Sequence, residues 1–122
     1  MNALKLKTLV LIPLLLLLCL LQACTSKDQE AFEKGKRAYE QGQKTEAIKH
    51  YNIAIQHNPK LVEAYYERSL AKALTGDKAG AVDDVEKAKQ LYLEQNDMEG
   101  YNKAIERQNT VDDMNRFWED HT

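Results

Sequence analysis

The chain has 122 residues, with 17 Lys and Arg against 19 Asp and Glu, a formal net charge of −2. A length of this order holds one small domain with a limited core, and nearly balanced, interleaved charge argues against a nucleic-acid surface. The only cysteines are Cys19 and Cys24, so nothing beyond residue 24 has a thiol for a disulfide, a metal or redox chemistry.

At the amino terminus, Lys5 and Lys7 precede a nearly unbroken apolar run from Leu9 to Leu21, and the small residue Ala23 sits directly before Cys24. That order is expected of a secretory signal peptide. A permanent transmembrane helix is the weaker expectation. The run supplies roughly 20 Å at ~1.5 Å per residue, against the ~30 Å of a hydrocarbon core, and Pro13 interrupts it. The ending Leu21-Gln22-Ala23-Cys24 resembles the bacterial lipobox. That resemblance implies a diacylglyceryl group on the Cys24 thiol, cleavage between Ala23 and Cys24, and an acylated new amino terminus. Residues 1–23 then form the signal peptide and 24–27 a lipidated tether. The rest carries fifteen basic and nineteen acidic residues, a net −4. Thr25 after the cysteine, in place of aspartate, resembles the outer-membrane sorting signal. The expected location is the cell envelope, on the outer membrane facing the periplasm in a double-membraned source.

Ser26-x-x-Gln29 has the spacing of a capping box and predicts that the first helix of the domain begins there. From that point the sequence repeats at an offset of 34: Gly42 with Gly76, Ala47 with Ala81, Ile48 with Val82, Ala54 with Ala88, Phe32 with Tyr66 and Gly35 with Ser69. A period of 34 with glycine and alanine at these intervals is the tetratricopeptide pattern. Ala38-Tyr39-x-x-Gly42 and Ala47-Ile48-x-x-Tyr51-x-x-Ala54-Ile55-x-x-x-Pro59 resemble that family's motif closely. The second copy keeps Ala64-Tyr65, Ala71, Gly76-Asp77, Ala81-Val82 and Ala88. It has Leu93 where the first closes on proline, while Lys34 and Val85 depart from the family's leucine and aromatic. The resemblance implies an all-α fold, a helix-turn-helix repeat solenoid of two tetratricopeptide repeats over 28–61 and 62–95, closed by a capping helix and tail over 96–122.

The local physics agrees. Gly42 and Gly76 fall where each helix pair must reverse, and glycine tolerates the positive φ of a helix end. Ala47, Ile48, Tyr51, Ala54 and Ile55 make one apolar stripe at helical spacing. Asn58-Pro59 stops the first pair, since proline cannot continue a helix. After Glu94-Gln95-Asn96-Asp97 a last, polar helix is expected, with Met98, Tyr101, Ile105, Gln108 and Val111 as one stripe at helical spacing, extended by Met114, Phe117 and Trp118. Repeat arrays need such a cap, and two repeats fall below the usual minimum of about three.

No catalytic constellation emerges. His50 and His57 stand two turns apart, about 10.5 Å along a helix, too far to share one metal ion. Glu46 and His50, at i and i+4, read as solvated neighbours. Asp83-Asp84 and Asp112-Asp113 read as charge on solvated faces, and no phosphate loop, Ser-His-Asp set or Cys-His dyad is present. No enzyme, cofactor, metal, nucleic acid or small-molecule substrate is expected, only the covalent lipid on Cys24. In the tetratricopeptide family the first helix of each pair lines a concave groove that holds a peptide or partner helix. Carried over, the groove comprises Gln29, Phe32, Glu33, Lys36, Tyr39 and Glu40, then Glu63, Tyr66, Glu67, Leu70, Ala73 and Leu74. Within it, Phe32, Lys36, Tyr39, Tyr66, Leu70 and Leu74 are the candidate contacts, although Phe32, Tyr66 and Leu70 could equally be core between repeats. Phe32 and Lys36 stand where the family's carboxylate clamp would have lysine and asparagine, which argues against a co-chaperone of that kind. The expectation is a membrane-anchored adaptor or scaffold with a membrane-proximal protein partner, pilotin-like for a pilus or secretion assembly. The alternative is a structural, self-associating envelope lipoprotein.

Overall fold

The computed structural model describes residues 2–22 and 25–122, with side chains for 2–18 and 25–122. Ala23 and Cys24, on which the expected cleavage and lipidation fall, lie outside the described residues. Six helices and no strand occur among those described: α1 (Asn2–Gln22), α2 (Lys27–Glu40), α3 (Lys44–His57), α4 (Val62–Leu74), α5 (Lys78–Glu94) and α6 (Met98–Asp120).

Helix α1 runs through Pro13 and packs on none of the other five among the described residues. Its side chains from Leu4 to Leu18 are exposed, and no described helix is long and apolar enough to cross a membrane. From α2 onward each helix packs on the next, and α6 also reaches back to α4. This is a helix-turn-helix repeat solenoid with a terminal cap.

The turns form where the sequence predicts them. Gly42 and Gly76 have φ of +77° and +85°, a region costly for residues with a Cβ. The third reversal uses Asn96 instead, at φ +55°, the polar residue that best tolerates this conformation. Asn58 caps the end of α3 directly before Pro59. The alanines pack as expected, with Ala47, Ala54, Ala81 and Ala88 wholly buried.

Three expectations need correction. Ser26 occupies the N-cap of α2 but makes no side-chain cap bond, so the capping box does not form; Gln29 instead donates to the Glu33 carboxylate at 3.3 Å. In α6, Met98, Ile105 and Phe117 point to solvent, and the buried residues are Gly100, Ala104 and Val111. The cause is steric: a Cβ on Gly100 would collide with the Tyr92 ring, so the close face of α6 must carry small residues. Asp84 is not solvated. It is 4 % exposed and accepts from Arg68 through both carboxylate oxygens, at 2.6 and 2.7 Å, while Lys72 Nζ stands 3.1 Å away. Arg68 also donates to Asn52 Oδ1 at 2.6 Å, tying α3, α4 and α5 together. Asp83 and the Asp112-Asp113 pair are exposed as expected.

Candidate functional site

The first helices of the two pairs, α2 and α4, pack on each other, and α6 packs on α4, so the expected contact residues of α2 and α4 neighbour α6. Phe32 and Tyr51 pack with ring centroids 5.9 Å apart, and Gly35 leaves the gap that the Tyr51 ring fills, since a Cβ there would lie 2.6 Å from it. Phe32 is buried, which puts it in the core between the helices, and the Lys36 ammonium lies over its ring, 5.7 Å from the centroid. Ala73 is likewise buried, and its carbonyl accepts from Trp118 Nε1 at 3.0 Å.

The other expected groove residues are half-buried or exposed, with Lys36, Tyr39, Tyr66, Leu70 and Leu74 all partly open to solvent. Sequence reasoning missed a contribution from α6. The Arg107 guanidinium lies 4.1 Å from the centroid of the Tyr66 ring, a close cation–π contact. Arg107 also bears electrostatically on Tyr39. The signal available was its position, one turn beyond Ala104 on the same side of α6.

Charge in the groove is uneven. Burial raises the Tyr39 hydroxyl pKa, Arg107 partly offsets this, and Glu67 adds to the rise. Burial also pushes the Tyr51 hydroxyl well up, reinforced by Glu67, Tyr39, Glu40 and Glu33. Tyr92 is pushed up to about 12 by burial, then by Glu63. The carboxylates of Glu33, Glu40 and Glu67 thus converge on the tyrosines from two helices. Lys36, 3.7 Å from Glu33, and Arg107 oppose them, and Lys103 of α6 bears electrostatically on Tyr66 as well. The surface is aromatic with an acidic excess.

His50 Nε2 stands 3.7 Å from Glu46, and among the described residues no group of three or more His, Cys, Asp or Glu could hold a metal ion.

A model of the TPR repeat family matches residues 35–76, from the middle of α2 through α3 and α4. The match supports the tetratricopeptide-repeat family. No curated protein matches the chain. Tetratricopeptide repeats are in general a protein-interaction fold without catalysis of their own, which supports a protein-binding role for the chain. The matched stretch includes Lys36, Tyr39, Tyr66, Leu70 and Leu74, while α5 and α6 lie beyond it.

Proposed function

We propose that the protein is a lipid-anchored adaptor of the bacterial cell envelope whose concave groove holds a segment of a protein partner. The observation that carries this reading is the convergence of Tyr39, Tyr66, Glu67 and Arg107 from three helices on one open surface. Partly buried tyrosines supply contact area at low entropic cost. The surplus of Glu33, Glu40 and Glu67 suits an amphipathic segment that presents a basic residue beside its apolar face.

The membrane half of the proposal rests on Leu21-Gln22-Ala23-Cys24, with acylation at Cys24 and Thr25 directing the protein to the outer membrane where there is one. Only Thr25 and Ser26 separate that cysteine from α2, and each extended residue reaches at most ~3.6 Å. A domain held so close to the bilayer meets partners that are membrane-proximal themselves. This favours a pilotin-like role in assembling a pilus or secretion complex over a freely searching scaffold.

The test is crosslinked capture from envelopes by the full-length protein. Tyr66→Ala combined with Leu70→Ala should reduce partner recovery by about tenfold or more, the loss expected for residues at the centre of an interface, with helical circular dichroism retained. A folded double variant that still captures its partner refutes the groove. A Cys24→Ala protein that is still processed and membrane-bound refutes the anchor.

A further inference from the structure

We infer that the outer face of the α2–α3 pair is a docking surface for anionic phospholipid headgroups, laying the first pair on the bilayer and turning α6 away from it. The inference rests on the lipid-anchor reading of Cys24, which brings this face within reach of a membrane.

The face has no partner among the described residues. It forms a cleft of about 290 Å³ whose lining includes Lys27, Glu30, Lys34, His50, Ile53 and His57. The offset of 34 identifies what the same positions do when something covers them. Lys27, Glu30 and His57 correspond to Leu61, Ala64 and Leu91, all of which pack into the core. Lys34 and His50 correspond to Arg68 and Asp84, the ion pair buried between helices. The first pair therefore presents a repeat-stacking face rewritten in polar residues. That rewriting disfavours a further repeat or a second copy and suits a hydrated, charged surface.

Charge complementarity indicates which surface. Residues 25–60 carry seven Lys and Arg against five Asp and Glu, a net +2, whereas residues 61–122 carry eight against fourteen, a net −6. The molecule is an electrical dipole whose positive end adjoins the tether. Lys27 is the first residue of α2, two residues after Thr25, and Arg37 continues the basic edge one turn beyond Lys34. Glu30 holds Lys34 at 2.7 Å, but both side chains are about half exposed, so the lysine remains available to a phosphate. Ile53, 41 % exposed in the midst of these cations, is placed to enter the boundary between headgroups and acyl chains. An anionic leaflet attracts the first pair and repels α6 over about one Debye length, roughly 8–10 Å at physiological salt.

The test is lysine acetylation footprinting of the full-length, membrane-purified protein, reconstituted in vesicles of phosphatidylglycerol and phosphatidylcholine or of phosphatidylcholine alone. Lys27 and Lys34 should react about threefold or more slowly on the anionic vesicles, while Lys78 and Lys103 change little, and high salt should erase the difference. Ile53→Asp, at an exposed position, should restore much of the Lys34 rate on anionic vesicles without changing the circular dichroism. Equal Lys27 and Lys34 rates on the two vesicle types, or equal protection of Lys103, overturns the inference. Protection on both vesicle types that grows with protein density assigns the face to a second copy and overturns it as well. The mass of the amino-terminal peptide separates the two readings: an unacylated Cys24 sinks the anchor and this inference with it. An acylated Cys24 with unchanged lysine rates sinks the orientation alone.

Discussion

The two helix pairs share a backbone plan and hold themselves together by different chemistry. In the first pair the joint is aromatic: Tyr51 stacks against Phe32 and fills the space above Gly35. In the second, Gly35 is replaced by Ser69 and Tyr51 by Val85, and the joint gains the buried Arg68–Asp84–Lys72 cluster. A small residue facing a large ring has become a larger residue facing a smaller one, so the helices stay close while the volume moves across the interface. The lesson is that a repeat conserves inter-helix distance and leaves the means open.

The strongest way to break the second joint is to remove one member of its ion cluster. Asp84→Ala leaves Arg68 and Lys72 as uncompensated cations and should cost about 3–5 kcal/mol in chemical denaturation, whereas Arg68→Met with Asp84→Leu should be milder, since it strands only Lys72, which keeps the Gly80 carbonyl within 3.4 Å. In the first joint Tyr51→Ala should cost a similar ~3–5 kcal/mol through cavity formation, with no comparable rescue. If Asp84→Ala and the double variant were equally destabilised, the cluster would be acting through shape and not through charge.

Much of this was legible in sequence, and the exceptions have physical causes. Gly42, Gly76 and the alanine stripes announce themselves because only small or glycine residues meet those constraints. Asp84 was misread because its neighbour Asp83 is solvated. The available clue was its place beside Ala81, Val85 and Ala88 on a stripe that must be buried. In α6, helical spacing of the larger apolar residues points to Met98, Ile105 and Phe117, all exposed, while close approach to Tyr92 demands Gly100. Phe32 was legible as either groove or core, since aromatic residues serve both, and the Tyr51 ring decides for core. The part played by Arg107 required knowing how far α6 folds back on α4.

The turns offer a gentler comparison. Gly42→Ala and Gly76→Ala meet no neighbouring atom within 4 Å, so any loss comes from the positive φ alone and should be about 1–2 kcal/mol at both sites. Asn96→Gly should be neutral or slightly stabilising in the same thermal melt, since it relieves the one positive φ that a residue with a Cβ holds among the described residues.

Helix starts differ in the same direction as the joints. Asp77 and Asp97 each accept the backbone N–H three residues on, from Gly80 at 3.0 Å and Gly100 at 2.8 Å. Ser26, Gln43 and Leu61 at the other N-caps make no such bond. Asp77→Ala should therefore lose about 1 kcal/mol, and Gln43→Asp should gain up to about the same, read as shifts in denaturant midpoint. Equal and negligible effects at both would show that packing alone positions α3 and α5.

The smallest expected effect is electrostatic. The Asp28 pKa is lowered by hydrogen bonds from Ser26, then Asn58, the latter donating at 2.8 Å across to the end of α3. A carboxylate favoured in the folded state contributes stability above its unfolded pKa of about 4, and that contribution fades as pH falls through its lower folded value. Asp28→Asn should flatten the acid limb of a plot of melting temperature against pH below about 4 and leave neutral pH nearly unchanged. An unaltered acid limb would exclude the Asp28–Asn58 contact from stabilising the first pair.

Trp118 is the only tryptophan, and its indole N–H reaches the carbonyl of Ala73 across 45 positions of sequence. That single bond makes the chain's intrinsic fluorescence a spectator of one event, the seating of α6 on α4. Local elements of repeat arrays can open below the global transition. A fluorescence transition earlier than the loss of far-ultraviolet ellipticity would therefore time the release of the cap. Because Arg107 rides on the same helix, that release would also lift its guanidinium from Tyr66, so the colour of one indole reports whether the proposed binding surface is assembled.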